Sequence, residues 1–383
     1  MSTAFVYGPH LQAYNPSDDA ERPLRRELGI ELLRAYGLLE HRDVTCIVPR
    51  LATEAEITAV HAPAYVNAVR RYSADPVLAA APEGRVWGFH DGDTRAREGM
   101  HEAAAAACGS ALVGALEIWE GRAQQAFCPA PAGLHHAMSN RASGMCIYND
   151  AAVAIRALLE RGAQRIAYID VDAHHGNGVQ WIFYEDPRVL TCSVHESGRY
   201  LYPGTGAVAE RGAGAGEGTS INLPLPPYAG DGPYVRAVEE VIAPAVRRFR
   251  PDVVVMMTGV DPHHTDPMSH LQVGTATFPR LYSALRDLAF DASQGRWLVV
   301  TGGGYNIDLL ARLWALQLAA MLDVELPEEI PAGWLALARE RAGFDFTPRL
   351  SGDTPRAIDE DTRRAADTEA DALIDSAKAL FGG

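Results

Sequence analysis

The stretch RIAYIDVDAHHGNG, residues 165–178, decides how this chain is read. Its first half is an apolar run of the kind that forms a strand buried on both faces. Its second half is polar and holds two glycines, which let the backbone turn away sharply. Along an extended backbone, residues two apart share a face. Asp170, Asp172 and His174 are therefore expected to converge at one strand end, as carboxylates and an imidazole do around a single metal. A polar loop capping a strand would explain one aspartate. Three ligand-type residues in register, leaving an apolar strand, point to a site.

The same construction recurs on either side. The apolar run 252–257 leads into Thr258-Gly259-Val260-Asp261-Pro262-His263-His264. In an open parallel sheet, ligands bind beyond the carboxyl ends of the strands. Asp261 lies nearest such an end, so His263 and His264 are read as loop residues. Two Asp and one His leave a coordination position open, which is the catalytic zinc pattern and not the closed structural one. Upstream, a short strand at 126–128 and a Pro-rich turn precede Gly133-Leu134-His135-His136-Ala137. Taken alone, that histidine pair could equally be a surface feature. A metal-dependent hydrolase, however, needs a base for the water proton and an acid for the leaving amine, and histidine suits both near neutral pH. Downstream, the run 297–301 opens into Gly302-Gly303-Gly304-Tyr305-Asn306. Without a following Lys this is no P-loop. The alternative is a support that presents the Tyr305 hydroxyl to a developing oxyanion.

Around these motifs, β-rich runs at 4–7, 44–48, 126–128, 165–171, 189–194, 253–257 and 297–301 alternate with helical runs. The helical runs are 24–36, 55–72, 100–118, 150–161, 233–248, 278–290, 309–322 and 333–341. The alternation implies an α/β fold, a mainly parallel sheet with helices on both faces. The Gly-rich stretch 211–218 reads as a surface loop. From Asp353 onward the chain is charged and Ala-rich. Ala366, Ala370, Leu373, Ile374, Ala377, Leu380 and Phe381 recur at helical spacing. We expect a catalytic domain over 1–350 and an amphipathic helix within 351–383 docked on that same domain; a partner-binding tail is the alternative.

Composition narrows the functional classes. Of 383 residues, 48% are hydrophobic and 22% charged, which excludes disorder along most of the chain. The net charge of −15 opposes binding to nucleic acid or anionic membranes and favours cationic partners, although solubility alone would account for it. Five cysteines with no C-x-x-C read as reduced, buried thiols. The N-terminus has no basic, apolar leader, and 103–119 is shorter and less apolar than a membrane span of ~20 residues. A cytoplasmic protein is expected.

Taken together, GLHHA (133–137), ASGMCIYND (142–150), YIDVDAHHGNGVQ (168–180), HESGRYLYPGTG (195–206), GVDPHHTDP (259–267) and TGGGYN (301–306) resemble the zinc-dependent histone deacetylase family. Within it, the chain is most similar to the bacterial acetoin-utilisation branch. The resemblance implies the arginase–deacetylase fold, with the metal at the carboxyl edge of the sheet, and removal of acetyl groups from lysine side chains of proteins. It implies Zn2+ held by Asp172, His174 and Asp261; Fe2+ could replace it, because N/O ligands do not select strictly. It implies tandem catalytic histidines at His135 and His136, a carbonyl-polarising Tyr305, and Asp170 as the carboxylate paired with His135. Asn177 stands where some members carry a second Asp, against His136. Gly144, Met145, Tyr202 and Met268 match walls of an acyl-lysine tunnel. Asp93 matches a rim carboxylate that grips the substrate backbone. Arg25 matches the arginine of an internal acetate-release channel. Structural K+ is also implied, at Asp170, Asp172, His174, Ser193 and Val194, and a second at Phe183, Asp186, Val189 and Thr219. The chain departs from the branch at Arg95 and Arg97, where Pro and an apolar residue are usual, and lacks a His-Pro within 15–24. An acetylpolyamine or other small-molecule deacylase is the competing reading, since the acidic charge suits both substrates. A binuclear ureohydrolase would want a further carboxylate near Asp261, where residue 259 is Gly. A non-catalytic acyl-lysine module would lack one of the catalytic groups, and all are present.

Overall fold

The computed structural model describes residues 2–15, 21–89, 93–129, 134–353 and 356–381. Gly133 of the histidine motif and part of the 15–24 segment lie outside them. Eight strands form one sheet: β1 (Thr3–Val6), β2 (Val44–Ile47), β3 (Gln125–Cys128), β4 (Ile166–Asp170), β5 (Val189–Glu196), β6 (Ser220–Leu225), β7 (Val253–Thr258) and β8 (Trp297–Thr301). Their order is β2-β1-β3-β8-β7-β4-β5-β6, and every neighbouring pair is parallel. This is the α/β architecture that the alternating runs imply.

The central strands are apolar throughout because both faces are covered. Ile169, Val254, Met256 and Val299 enter one core, with helices Glu21–Ala35, Thr277–Ser293 and Ile307–Leu322. Their neighbours Tyr168, Val255, Met257 and Val300 enter the other, with helices Met100–Trp119 and Asp150–Glu160. Each such aliphatic side chain taken out of water contributes about 1.5–3 kcal/mol. Among the described helices, Met100–Trp119 alone is long and apolar enough to cross a membrane, and most of it is buried inside this core. Register then sets the site. Asp170 lies opposite Met257 on β7 and Ser193 on β5, and Thr258 lies opposite Thr301 on β8. The chain therefore leaves β4, β7 and β8 at one level of one edge.

Three expectations need correction. β6 was not foreseen. Its sequence, SINLPL, contains Pro224, which argues against a strand except at an edge, and β6 is an edge. The expected helix 55–72 is two helices, Glu54–Thr58 and Pro63–Ala74. Pro63 forces the residue before it out of helical geometry, and Thr53 and Glu56 form a capping box on the first piece. The expected helix 233–248 runs from Asp231–Arg236 through a π-helical stretch, Ala237–Ile242, into Ala243–Phe249.

The C-terminal helix is Glu360–Phe381. It buries Ala366, Ala370, Ile374, Ala377 and Phe381 against the body. Leu373 is half-buried, but Leu380 is exposed and falls off the apolar stripe. Arg236 reaches across to Asp371 and Asp375 and ties the helix down. Of the cysteines, four are buried and Cys46 is exposed.

Candidate active site

Beyond β4 the backbone curls instead of staying extended. Asp170 Oδ1 accepts the N–H of Asp172 at 3.1 Å, and Asp172 Oδ1 accepts that of His174 at 2.9 Å. Aspartate bonds readily to the amide two residues on, and each such bond bends the chain. The simple two-residue periodicity therefore fails here: Asp172 and His174 face one point, but Asp170 faces another. At that first point, Asp172 Oδ1 and Asp261 Oδ2 stand 3.1 and 2.9 Å from His174 Nδ1. Ligand atoms of all three residues lie within 4.8 Å of one another, and all three are buried.

Backbone amides orient the carboxylates from behind. Gly303 N–H donates to Asp172 Oδ2 at 2.6 Å and Ala173 N–H to Asp261 Oδ1 at 2.8 Å. The glycines are needed for this approach. A side-chain carbon on Gly303 would lie 2.1 Å from Asp261 Oδ2, and one on Gly259 would lie 2.2 Å from Asp172 Oδ2. Position 259 thus has no room for the additional carboxylate that a two-metal site would want. The cluster also fits a cation on charge. Burial and the charge of Asp172 push Asp261 up to about 7. Burial works against the charge of Asp172 too, but the His135 and His174 charges outweigh it and hold that carboxyl well below its usual range. Two buried carboxylates focused on one imidazole nitrogen suit a divalent metal bound through O, N and O donors.

Asp170 turns toward the histidine pair. His135 Nδ1 donates to Asp170 Oδ2 at 2.9 Å, and the Tyr168 hydroxyl donates to the same oxygen at 2.6 Å. His136 Nδ1 donates instead to the Asn177 amide oxygen at 2.7 Å. The two Nε2 atoms lie 3.1 Å apart. Burial disfavours charge on both rings. At His135 the Asp170 and Asp172 carboxylates outweigh it and lift the imidazole to about 9. At His136 burial is reinforced by the charges of His135 and His174, and the ring is pushed well below its usual range. The surroundings thus favour a proton on His135 over one on His136. Asn149 secures the segment, donating to the carbonyls of His135 and Ala137 while its Oδ1 caps helix Asp150–Glu160.

The remaining residues lie above and around this floor. The Tyr305 ring stands edge-on to His174, with centroids 6.5 Å apart, and the Arg25 guanidinium is 5.3 Å from its centre. Gly144 must be glycine: a side-chain carbon there would meet His136 Cδ2 at 2.4 Å. Met145 adopts φ 65°, held by the Tyr14 hydroxyl on its carbonyl and by Thr94 Oγ1 on its amide. The Thr94 hydroxyl in turn donates to half-buried Asp93. The Tyr202 ring lies T-shaped on His136 at 5.0 Å, and its hydroxyl pairs with Ser143. Tyr202 and Met268 are 43% and 42% exposed, so both stand at the protein surface. Arg95 is exposed and Arg97 half-buried.

His263 bonds Thr265 and Thr275 within its loop, and His264 is buried beside it. Ser193 Oγ meets His195 Nδ1 at 2.8 Å across the sheet from Asp170. Phe183 and Asp186 follow helix Asn177–Ile182 in a turn, Val189 opens β5, and Thr219 precedes β6. Sequence reasoning missed Tyr168, Asn149 and Thr94. Of these only Tyr168 carried a signal, lying two residues before Asp170 and so on the same face of β4.

A fold and site of this kind have known counterparts. The chain belongs to the histone deacetylase family: the histone deacetylase domain matches residues 19–321. It is a deacetylase, a hydrolase, and the family implies a bound metal ion. Among individual proteins it is similar to the acetoin utilization protein AcuC of Bacillus subtilis (strain 168), 37% identical over 337 residues, 87% of this chain and 85% of that one. AcuC of Staphylococcus xylosus is 34% identical over 367 residues, 95% and 94% of the two chains. AcuC of Staphylococcus aureus (strain MSSA476) is 35% identical over 337 residues, 88% and 84%.

Proposed function

We propose that this deacetylase is Zn2+-dependent and acts on acetylated lysine side chains of proteins. The observation that carries the reading is the meeting of three elements: the Asp172–His174–Asp261 focus, the His136 ring held beside it by Asn177, and the Tyr305 ring against His174. Zn2+ on those three ligands, or Fe2+ on the same donors, would supply Lewis-acid chemistry at the acetyl carbonyl. His136 Nε2 takes the proton of the attacking water and returns it to the departing lysine amine. Asn177 fixes the tautomer that puts the His136 lone pair on Nε2. His135, backed by Asp170, keeps positive charge beside the carbonyl as that oxygen becomes negative. The Tyr305 hydroxyl donates to the same oxygen.

Gly144, Met145, Tyr202 and Met268 enclose the lysine stem and keep water away from it, and Asp93 accepts a substrate backbone amide at the rim. Arg25 borders the path by which acetate leaves. One K+ would sit on the carbonyls of Asp170, Asp172, His174 and Val194 with the Ser193 hydroxyl, a second on Phe183, Asp186, Val189 and Thr219. Residues 1–350 and the helix within 351–383 act as one domain. The net charge of −15 favours lysine-rich proteins as partners, with no nucleic acid or membrane, in the cytoplasm.

The test is a comparison of an acetyl-lysine peptide with an N-acetylated polyamine on enzyme of measured metal content. The peptide should be turned over with at least about tenfold higher kcat/KM, roughly 1.4 kcal/mol of discrimination. The reverse preference would make the chain a small-molecule deacylase. Tyr305→Phe should lower kcat by roughly 10²–10³ with little change in KM; a variant with nearly full kcat would make the tyrosine structural.

A further inference from the structure

Asp266 is a fully buried carboxylate that the chemistry above does not use. Its two oxygens serve two loops. Oδ2 accepts the backbone N–H of Tyr305 at 2.7 Å, and Oδ1 accepts that of Met268 at 2.9 Å. The neighbouring residue adds a second strut: Thr265 Oγ1 accepts from Asn306 Nδ2 at 2.8 Å. Asn306 Oδ1 in turn caps the helix Ile307–Leu322 by accepting the Asp308 N–H. From the opposite side, Arg25 donates to the Gly304 carbonyl at 2.5 Å. Three consecutive residues are thus gripped at three different places: Gly304 at its carbonyl, Tyr305 at its amide, Asn306 at its side chain.

The segment needs such a grip. Gly302 and Gly303 must be glycine to pass the carboxylates of Asp172 and Asp261, and Gly304, at φ 152°, has no room for a side-chain carbon against Val260 and Leu310. Three glycines in a row have little stiffness of their own. A phenol on the far side of such a hinge is a precise donor only if its own backbone is fixed, within about 0.5 Å for a catalytic group. A buried carboxylate is well suited, because hydrogen bonds to an ionised acceptor are about twice as strong as neutral ones.

We infer that Asp266 is a positioning residue for Tyr305: it fixes the peptide from which the phenol projects and joins that loop to the loop bearing Met268. The inference rests on the reading of Tyr305 as the donor to the carbonyl oxygen. Its test is a double-mutant cycle on the full-length, metal-loaded enzyme with an acetyl-lysine peptide. Asp266→Asn replaces one acceptor oxygen by an NH2 group that cannot receive an amide proton. It should lower kcat by about 10- to 100-fold, the size expected for a misplacement of ~1 Å. KM should stay within about twofold, and bound-metal stoichiometry should be unchanged. In the Tyr305→Phe background the same substitution should cost less than about twofold, because the hydroxyl it aims is already gone.

A kcat loss that multiplies in full on the Tyr305→Phe background, or a loss confined to KM, would overturn the inference. Tyr305→Phe that keeps its kcat would instead overturn the parent reading, and the two failures are distinguishable in one data set. Should Asp266→Asn not fold, Asp266→Glu retains the carboxylate but moves it by one methylene. A kcat loss that disappears in the same background supports the inference, and one that persists refutes it.

Discussion

The floor of the site and its mouth are built by opposite means. At the floor, Asp172 and Asp261 each take a backbone amide on the oxygen facing away from the main cluster contact, and glycines press against both. These groups follow directly from the ends of β4, β7 and β8, so the pairing register of the sheet sets their spacing. At the mouth, Tyr202 and Met268 ride on loops and leave two-fifths of their surface in solvent. The contrast teaches where tolerance lies. The Asp–His–Asp cluster sits just beyond strand ends, where the sheet fixes its spacing, while the exposed side chains sit on loops, which accept change at small cost.

The sharpest break of that contrast is at the floor. Asp261→Ala removes one of three ligand-type groups. The effect should exceed the ~10–100-fold that loss of an outer partner of a metal ligand costs, with bound metal close to zero after chelator washing. Undiminished metal content in the reconstituted variant would mean that the metal site is elsewhere. Gly303→Ala is the next in size. Its added carbon would stand 2.1 Å from Asp261 Oδ2 and 2.8 Å from Asp172 Oδ2. We expect ~10–100-fold weaker metal affinity by competition with a chelator, and a destabilisation of about 1–3 kcal/mol from overpacking. Wild-type affinity would show that the carboxylates have room to retreat, against the rigid floor described above.

The same contrast governs what could be read from sequence. Asp172, His174 and Asp261 were legible because each follows an apolar run that can only be a buried strand. The diversion of Asp170 to His135 was not, because two aspartate-to-amide turns bend the chain after the strand ends. β6 was obscured by Pro224, harmless at an edge and misleading in a string of letters. Asn149 and Asp266 were invisible for a different reason. Each is a single polar residue whose partners are backbone amides or carbonyls of other segments, and backbone partners leave no trace in residue type. Their roles exist only once the loops are folded.

Between floor and mouth stands Asn177, and there the expected effect is a moderate shift in pH dependence. Its neutral amide oxygen accepts from His136 Nδ1, where Asp170 offers His135 a carboxyl oxygen. Asn177→Asp would place a carboxylate in hydrogen-bonding contact with His136. An opposite charge favours the protonated imidazole, so the pKa of His136 rises. On the mechanism proposed above, the neutral form that accepts the water proton then requires a higher pH. The acidic limb of kcat/KM should move upward by roughly one pH unit, and activity should fall several-fold on the acid side while changing little at pH 9. The two rings titrate as a coupled pair, so the limb belongs to both. A limb that stays in place or moves downward would mean that Asn177 does not set the charge of His136.

The smallest effect belongs to the mouth, and it sharpens the contrast by being small. Tyr202 contributes a ring and a hydroxyl, and they do different work. The ring lies T-shaped on His136 at 5.0 Å and covers the imidazole from solvent. The hydroxyl pairs with half-buried Ser143 in a bond open to solvent, so water can replace either partner. Tyr202→Phe keeps the ring and loses only that bond. A typical intramolecular hydrogen bond nets about 0.5–1.5 kcal/mol, and one open to water lies at the low end. We therefore expect kcat/KM within about threefold of wild type, unchanged metal content, and a melting temperature lower by no more than a degree or two. Tyr202→Ala should behave differently, because removing the ring opens His136 to solvent; its kcat should fall while metal content holds. If instead Tyr202→Phe alone costs tenfold or more in kcat, the hydroxyl acts on the reacting groups, and the mouth is as finely set as the floor.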